Sequence, residues 1–289
     1  MTASNSSIDL ARLRQWIGRS EEAEDIATPA LVERFCTTLL PHLAPFEDVH
    51  TPLGIHWCLA PRVAPISALG RDGHPALGDF LPPVPLSRRM WAGGEIEFLA
   101  AIARGGRVVR RSVIADVVLK QGRSGPLCFV SVRHEYATED RVAISERQDI
   151  VFRDEPRSEV QAALRSSQQR HSSPAAGLIW TISPSSVLLF RYSALTFNGH
   201  RIHYDHPYAT GVEGYPGLVV HGPLQATLLL NAAATILRQT PRRFSYRNLA
   251  PIFADTPFLA CAAQTADGQV ECWVEDAVKN TAMQATAMS

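Results

Sequence analysis

The chain has 289 residues, enough for one large domain or two of ordinary size. Its 28 basic residues are balanced by 28 acidic ones, which argues against a general nucleic-acid binder, because such proteins normally carry a clustered basic excess. Apolar residues make up 46% of the sequence, so the chain can build a substantial hydrophobic core.

Membrane, export and disulfide classes are also disfavoured. No apolar run reaches the roughly 20 residues that span a bilayer, and the first residues lack the basic-then-apolar pattern of a signal peptide. The cysteines are odd in number and form no C-x-x-C pair: Cys36, Cys58, Cys128, Cys261 and Cys272. A disulfide scaffold or zinc ribbon is therefore improbable, and the sequence predicts a cytoplasmic protein with no membrane or nucleic-acid partner.

The first 86 residues predict helices followed by irregular chain. Residues 8–45 have a helical pattern, with a first helix over 9–17. A second helix is expected to open at Thr28-Pro29, because Thr is a good N-cap and Pro fits the first helical turn. A dense series of prolines over 46–86 then excludes a long helix and predicts a winding connection with short strands.

An antiparallel meander is predicted for residues 87–154. Runs rich in β-branched and aromatic residues alternate there with turn signals, of which Gly105-Gly106 and the segment 122–125 are the clearest. The following segment, 155–176, is polar and without a strand pattern, so we expect a linker.

The remaining chain predicts a second β-rich region built around one helix. A strand over 177–182 is followed by an apolar run at 187–196 and a polar, histidine-rich block. Residues 222–239 are almost wholly apolar and rich in Ala and Leu, which predicts a buried helix with Pro223 in its first turn. Three further β runs close the chain, at 243–253, 257–265 and 269–278.

A weak internal similarity suggests that the chain contains one unit twice. Residues 90–102 resemble residues 252–264, and each segment is followed by a hairpin. We therefore predict an N-terminal unit (1–154) and a C-terminal unit (177–289). In the second, an antiparallel sheet would curl round the helix at 222–239. In the first, the proline-rich stretch stands in the place of that helix. The two sheets would then be free to join edge to edge and protect each other's edges.

A concentration of histidine is the main anomaly of the sequence. Four of the ten histidines fall within 22 residues: His200, His203, His206 and His221. The first three are spaced by three residues, which would gather a metal ion if they were helical. Pro207 interrupts that spacing, and the usual H-E-x-x-H or cysteine partners are missing. We therefore expect no metal site.

Two segments in this region resemble a known enzyme family. The segment F-N-G-H-R-I-H-Y-D at 197–205 and the segment Y-P-G-L-V-V-H-G-P at 215–223 resemble the MaoC-like (R)-specific enoyl-thioester hydratases and dehydratases. Within that family they are most similar to the branch of mesaconyl-C4-CoA hydratases, itaconyl-CoA hydratases and mitochondrial-type 3-hydroxyacyl-thioester dehydratases. The resemblance implies an α+β double hotdog fold with a degenerate helix in the N-terminal unit.

The resemblance also assigns positions in the usual family motif, Ser-Gly-Asp-x-Asn-Pro-Leu-His. Asn198 stands where the family has Asp, and His200 where it has Asn. Arg201 replaces the Pro, and His203 falls on the catalytic His. The branch that this chain resembles tends to carry the same replacements.

The chemistry of hydration agrees with this assignment. Adding water across an α,β-unsaturated thioester needs a base with a pKa near neutrality and a donor for the thioester oxygen. His203 is the predicted acid/base. The amide of Gly222 is the predicted oxyanion donor, because the first N–H groups of a helix have no intrahelical partner, although glycine there can also serve close packing. Asn198 would hold the water or the developing hydroxyl. Because a carboxamide cannot carry a proton, His203 would move both protons, with Asp205 as a less favoured substitute.

Six further residues are predicted to contact the substrate: His200, Arg201, Tyr204, His221, Arg191 and Arg247. His200 is alternatively a loop-holding residue, and His221 alternatively packs against the site. Arg201 or Arg191 would neutralise a free carboxylate of the acyl group, unless Arg201 anchors its loop. His206, just before Pro207, is expected at the surface or as a cap.

The phosphates of CoA also require cations. Candidates are Arg88-Arg89, Arg242-Arg243 and Arg247, because a guanidinium pairs with phosphate in a fork. The resemblance favours a short branched dicarboxylyl-CoA such as mesaconyl-C4-CoA or itaconyl-CoA, with no cofactor beyond the CoA of the substrate and with a homodimer as the assembly to test.

Three alternative functions stay open. One is a 3-hydroxyacyl-thioester dehydratase acting on fatty acyl-CoA or acyl carrier protein. A second is an acyl-CoA thioesterase of the hotdog fold, which typically uses an acidic residue in the helix region; residues 222–239 contain no Asp or Glu, and this counts against it. The third is a non-catalytic acyl-CoA binding protein, against which the intact histidine block argues.

Overall fold

The computed structural model of the protein describes residues 8–122, 125–139, 141–154 and 175–289. The described part forms one antiparallel sheet of ten strands with helices packed against it. The predicted linker falls mostly on residues 155–174, outside the described residues, as do the two central residues of the turn predicted at 122–125.

The elements up to residue 154 form one half of the sheet. In chain order they are α1 (Leu10–Arg14), β1 (Ser20–Ile26), α2 (Pro29–Leu39), two 3-10 turns (Ile55–Cys58 and Ile66–Ala68), β2 (Arg88–Phe98), β3 (Arg107–Gly122), β4 (Gly125–Ala137) and β5 (Val142–Arg153). We call this group the first half. Thr28 caps α2 as predicted, its hydroxyl accepting the Leu31 N–H at 3.1 Å.

The elements from residue 178 onward form the second half. They are β6 (Leu178–Ile182), α3 (Ser186–Thr196), a 3-10 turn (Arg201–His203), α4 (His206–Gly211), α5 (Gly222–Leu237), β7 (Arg243–Asn248), β8 (Phe258–Gln264), β9 (Val270–Glu275) and β10 (Thr281–Met288). The helix predicted at 222–239 is therefore present. It ends at Leu237 because Arg238 adopts a left-handed conformation with φ of 56°.

The two halves meet edge to edge. The strand order is β1-β3-β4-β5-β2-β7-β10-β9-β8-β6, so both halves have the same internal order and join through β2 and β7. Gly94 lies opposite Tyr246 at this junction, and Ile96 opposite Phe244. Joining removes two exposed sheet edges, as expected for paired units.

The strand order corrects the register of the internal similarity. By place in the sheet, β2 corresponds to β7, and β8 corresponds to β3. The comparison of residues 90–102 with 252–264 therefore matched two strands that are not equivalent. Apolar strands followed by hairpins look alike, so a short similarity does not fix which strands correspond.

Helix α5 forms the centre of the second half. It packs against β8 and β9, and every residue from Leu224 to Ala234 is buried. The corresponding stretch of the first half, 40–87, contains only the two 3-10 turns and isolated bridges. The long helix of the second half therefore has no counterpart in this stretch, as expected for a degenerate helix. The short strands that were predicted for 46–86 are not formed there.

Two strands were missed by the sequence analysis. β1, in a region with a helical pattern, is an edge strand paired antiparallel with β3, where Glu24 forms an ion pair with Arg107 at 2.5 Å. β10 consists mainly of Ala, Thr and Met, yet it lies between β7 and β9. Its position between two strands decides its conformation rather than intrinsic propensity. None of the described helices is long and apolar enough to cross a membrane.

Candidate active site

A cavity of about 740 Å³ lies between the two halves. Its wall includes residues 196–200 and 202–204 of the loop that follows α3, which we call the histidine loop, together with the start of α5 and residues 248–251 of the second half. The first half contributes residues of the proline-rich stretch and inward-facing side chains of β2 to β5.

Local caps shape the histidine loop. α3 starts at an N-cap, Ser185, whose hydroxyl accepts the Leu188 N–H at 3.2 Å. The helix ends at Phe197, which has a left-handed φ of 50°. Asn198 Oδ1 then accepts the His200 N–H at 3.0 Å, a local bond that turns the chain. The loop therefore leaves the helix in a defined direction.

His203 is 6% exposed and lines the cavity. Its Nδ1 lies 2.7 Å from the carbonyl oxygen of Val219. Because a carbonyl only accepts hydrogen bonds, Nδ1 carries the proton and Nε2 keeps a free lone pair. Burial lowers the pKa of His203 to about 4, against the opposing effect of the bond to Val219. The ring is therefore neutral at pH 7 and able to accept a proton at Nε2.

His221 lies behind His203 rather than in the cavity wall. The two rings stack with centroids 3.6 Å apart and planes 19° apart. His221 Nε2 lies 2.8 Å from the hydroxyl of Ser193, and the residue is fully buried. Burial, and to a smaller extent repulsion from His203 when that ring is protonated, holds the pKa of His221 well below its usual range. The packing alternative therefore describes His221, and its prediction as a substrate contact is corrected.

His200 lies in the cavity wall beside His203. The two rings meet edge to face with centroids 5.4 Å apart, and His74 packs on the other side of His200 at 4.6 Å. Burial, followed by repulsion from His203 when that ring is protonated and from Arg89, holds the pKa of His200 well below its usual range. A second neutral imidazole is therefore available to a ligand.

Gly222 is the first residue of α5 and also lines the cavity. An N–H at this position has no partner within the helix. A Cβ atom built on Gly222 would lie 2.7 Å from Cε3 of Trp91 and 3.2 Å from Nδ2 of Asn248. Trp91 is itself stacked on Tyr246, with centroids 4.4 Å apart. Only glycine therefore leaves this helix start open to the cavity.

Asn198 lines the cavity but uses one end of its side chain in the loop. Its Oδ1 accepts the His200 N–H, as described. The remaining group, Nδ2, is only a donor. Asn198 can thus hold an oxygen atom of water or of a hydroxyl, as predicted, but it cannot accept a proton from one.

Residues 54–254 match the family model of hydroxyacyl-thioester dehydratase type 2. The chain belongs to this family. It is 43% identical over 254 residues to the mesaconyl-C(4)-CoA hydratase of Chloroflexus aurantiacus, and the aligned region covers 87% of this chain and 89% of that protein. It is 27% identical over 286 residues to the mitochondrial hydroxyacyl-thioester dehydratase type 2 of Schizosaccharomyces pombe, covering 88% and 93% of the two chains.

Solved structures show the same fold. HtdX of Mycobacterium tuberculosis matches with a TM-score of 0.65 at 17% identity, covering 94% of this chain and all of that one (100%). Another Mycobacterium tuberculosis protein, described as a double hotdog, matches with a TM-score of 0.59 at 13% identity, covering 94% and 95%. The predicted double hotdog and the predicted hydratase/dehydratase class are therefore confirmed, and this dehydratase-family protein is a hydro-lyase.

Arg201 and Asp205 anchor the histidine loop of the dehydratase. The guanidinium of Arg201 bonds the Asp205 carboxylate at 2.7 and 2.9 Å and the carbonyl of Arg71 at 3.2 Å. It also lies over the ring of Tyr208, 4.1 Å from the centroid. Arg201 is outside the cavity wall, so the loop-anchoring alternative describes it. Asp205 also caps α4 through the Tyr208 N–H, which makes it no substitute for Asn198.

Of the other residues predicted to contact the substrate, one lines the cavity and two lie at the protein surface. Tyr204 lines the cavity, and its hydroxyl donates to the Gly199 carbonyl at 3.0 Å. Arg191 is exposed on α3, and Arg247 is exposed on β7; neither lines the cavity. Arg247 lies between Tyr246 and Asn248 in the strand, and side chains alternate between the two faces of a sheet. Both arginine predictions are therefore corrected.

Most of the arginines that were predicted to bind the phosphates of CoA either lie outside the cavity wall or already pair with a carboxylate. Arg88 is buried in an ion pair with Glu213 at 3.1 Å, and the exposed pair Arg242-Arg243 lies away from the cavity. Arg89 does line the cavity, but it bonds Asp72 at 2.8 Å. Two further arginines in the wall were missed, and both contact Glu21: Arg62 at 3.2 Å and Arg110 at 3.3 Å.

The structure separates the three histidines considered as a metal site. His206 is exposed at the start of α4, and His203 is engaged by Val219. Among the described residues, a different set could hold a metal ion. It consists of Asp72, His74 and His200, whose ligand atoms all lie within 4.8 Å of one another. The Asp72 carboxylate there already accepts two hydrogen bonds from Arg89.

The sequence analysis did not predict several polar and aromatic residues of the cavity wall: Trp57, Trp91, His134, Gln148, Gln225 and Asn248. They come from separate strands, a 3-10 turn and α5, so no local motif connects them. The sequence signal that could have identified such residues is a polar side chain within an otherwise apolar element. Gln225 in α5 is the clearest case.

Proposed function

We propose that the protein hydrates a short dicarboxylyl-CoA of the mesaconyl-C4 type and catalyses the reverse dehydration. The observation that carries the proposal is the neutral His203, held by Val219 in the same cavity as the start of α5. The 43% identity to a mesaconyl-C(4)-CoA hydratase supports the acyl group.

In the proposed reaction Nε2 of His203 takes a proton from water while the water oxygen bonds to C3 of the substrate. The electron pair of the C2–C3 double bond moves toward the thioester carbonyl, and the Gly222 N–H stabilises the resulting enolate oxygen. The imidazolium of His203 then returns its proton to C2. One water molecule is added, and no cofactor is required. Burial disfavours the charged ring, which promotes this second proton transfer.

Asn198 and His200 complete the proposed site. Nδ2 of Asn198 donates to the oxygen of the attacking water and later of the 3-hydroxyl. His200 forms the adjoining wall and lies against His203. This arrangement assigns both proton transfers to a single residue, because Asn198 has no proton to exchange.

The free carboxylate of the acyl group needs a positive wall. Arg62 and Arg110 share the single carboxylate of Glu21, although Arg62 also pairs with the exposed Asp79. Arg62 and Arg110 both line the cavity. We assign them to the free carboxylate of the acyl group, because a guanidinium pairs with a carboxylate in a fork.

Two further proposals concern cellular location and assembly. All five cysteines are unpaired, and four of them are buried, which supports our inference of a cytoplasmic protein. The homodimer, and the unit boundaries at 154 and 177, stay predictions.

A single assay tests the proposed function. Purified protein is mixed with crotonyl-, mesaconyl-C4- and itaconyl-CoA, and the loss of enoyl-thioester absorbance is followed together with free thiol. We expect absorbance loss without thiol and the highest kcat/KM with mesaconyl-C4-CoA. Thiol release would instead identify a thioesterase, and equal or faster reaction of crotonyl-CoA would favour the fatty-acyl alternative.

The variant His203→Gln tests the mechanism in the same assay. Loss of the general base is expected to lower kcat by about a hundredfold or more, with an unchanged circular dichroism spectrum. His206→Gln is the matched control, because His206 is exposed and outside the cavity wall. An active His203→Gln protein would remove His203 from the reaction.

A further inference from the structure

Two carboxamide side chains in the cavity wall have an oxygen without a partner. They are Gln225, in the first turns of α5, and Asn248, at the end of β7. Both Oε1 of Gln225 and Oδ1 of Asn248 are buried and unpaired, and Gln225 is only 1% exposed. Buried acceptors are normally satisfied, so this pair indicates a position for a hydrogen-bond donor of a ligand.

The nitrogen ends of both amides are held by the protein. Nδ2 of Asn248 donates to the carbonyl of Trp91 at 3.2 Å, and Nε2 of Gln225 donates to the carbonyl of Val220 at 3.5 Å. A carbonyl accepts hydrogen bonds and cannot donate them, so these contacts identify which end of each amide is nitrogen. Both oxygens are thereby left as buried acceptors without a donor, on residues of the cavity wall.

The chain before α5 separates Gln225 from His203. Val219 faces the histidine loop: its N–H donates to the Ile202 carbonyl at 2.9 Å, and its carbonyl oxygen accepts from His203. The N–H of Val220 donates to the Ile252 carbonyl at 2.8 Å. Since successive peptide groups of an extended chain point in opposite directions, the Val220 carbonyl that holds Gln225 faces away from His203.

This separation orients a bound thioester. If Gly222 holds the thioester oxygen and His203 faces C3, the acyl group extends from the carbonyl carbon toward His203. The sulfur is bonded to the same carbonyl carbon on its other side, and we place it toward Asn248, whose Nδ2 lies 3.2 Å from the position of a Cβ atom on Gly222. The first polar group beyond the sulfur of CoA is a secondary amide two carbons away, and its N–H is a donor.

We propose that Gln225 Oε1 and Asn248 Oδ1 together accept the N–H of this first amide of the carrier arm. One N–H shared by two acceptors is an ordinary three-centre hydrogen bond. The subsite recognises the pantetheine arm and not the acyl group, and it fixes the thioester carbonyl on Gly222. The inference rests on the substrate orientation of the proposed function. The competing occupant of these acceptors is the attacking water.

A pair of matched ligands tests the subsite without catalysis. S-butyryl-pantetheine is compared with its keto analogue, in which CH2 replaces the N–H of the first amide, by calorimetric measurement of Kd. We expect the wild type to bind the amide at least about tenfold more tightly, because a buried acceptor rejects a ligand that lacks its donor. Asn248→Leu and Gln225→Met are expected to abolish most of this preference by weakening only the amide ligand.

The control variant is Gln264→Met, which removes an exposed carboxamide on β8 outside the cavity wall. It is expected to keep the preference for the amide. Equal binding of both ligands by the wild type would overturn the proposal. Equal weakening of both ligands in the Asn248 and Gln225 variants would also overturn it and would point to water or to packing. Because both ligands are saturated, failure of hydratase activity is recognised separately, in the enoyl-CoA assay.

Discussion

A single carbonyl, that of Val219, determines which nitrogen of His203 faces the cavity. The carbonyl fixes the proton on Nδ1, and burial keeps the ring neutral. The stacked ring of His221 prevents His203 from tilting away, and Ser193 in turn holds His221. The histidine motif identified His203, but its tautomer and pKa depend on these contacts, which come from α3 and from the chain before α5.

The pH dependence of hydration tests this account. His203 has to be neutral to act as a base, and its pKa is lowered to about 4. We therefore expect kcat/KM to stay level from about pH 8 to pH 5.5 and to fall on further acidification with a midpoint near 4, since this parameter reports the free enzyme. A midpoint near 6.5, the ordinary value for histidine, would contradict the burial argument. Circular dichroism at pH 4.5 provides the folding control.

The start of α5 is the element on which the proposed site depends. Its position was predictable, because an apolar run after a Gly-Pro pair is a strong helix signal. The residue that packs against this helix start was not predictable, because Trp91 lies on β2 of the other half, more than a hundred residues earlier in the chain. The same limit applies to Arg247, whose side chain lies on the far face of β7 because of strand register.

Replacing Gly222 by alanine tests the close approach at this helix start. The added Cβ would collide with Trp91, which cannot retreat because it is stacked on Tyr246. We expect kcat/KM for hydration to fall by about a hundredfold, the usual effect of disturbing one oxyanion donor. Gly217→Ala is the control, since a Cβ there meets nothing within 4 Å. Unchanged activity in Gly222→Ala would mean that the substrate does not approach this amide.

At the scale of the whole molecule, a buried carboxyl joins the two halves. Oε1 of Glu146 on β5 accepts hydrogen bonds from Trp57 at 2.9 Å, Gln148 at 2.9 Å and, across the junction, Tyr246 at 3.1 Å. Burial raises the pKa of Glu146 to about 7 despite these three donors. The folded protein therefore retains a proton that the unfolded chain releases near pH 4.5.

This difference predicts a stability that depends on pH. Between pH 4.5 and 7 the folded state binds more protons at Glu146, so the free energy of unfolding decreases as the pH rises through that range. Glu146→Gln keeps an oxygen for the three donors and removes the titration. We expect its stability relative to the wild type to be greater by about 2 kcal/mol at pH 8.5 than at pH 5.5, measured by urea unfolding.

A control separates this effect from other titrating groups. Burial lowers the pKa of His56 and of His134 to about 3, which destabilises the protein as the pH falls below about 6.5. Both histidines are present in the variant and in the wild type, so their contribution cancels in the comparison. Glu22→Gln, at an exposed carboxyl on β1, is the matched control. A constant difference for Glu146→Gln would indicate that Glu146 is ionised in the folded state.

The sequence by itself predicted the β-rich organisation and the buried helix α5, because each follows from a local pattern of hydrophobicity. The double hotdog and the role proposed for His203 came from the resemblance of a contiguous motif to a known family. Only the tertiary structure decided that Arg201 pairs with Asp205, that His221 lies behind His203, and that Asn248 adjoins Gly222. These depend on strand register and on how two distant halves of the chain meet. A hydrogen bond between residues far apart in sequence leaves no periodicity that the sequence can show.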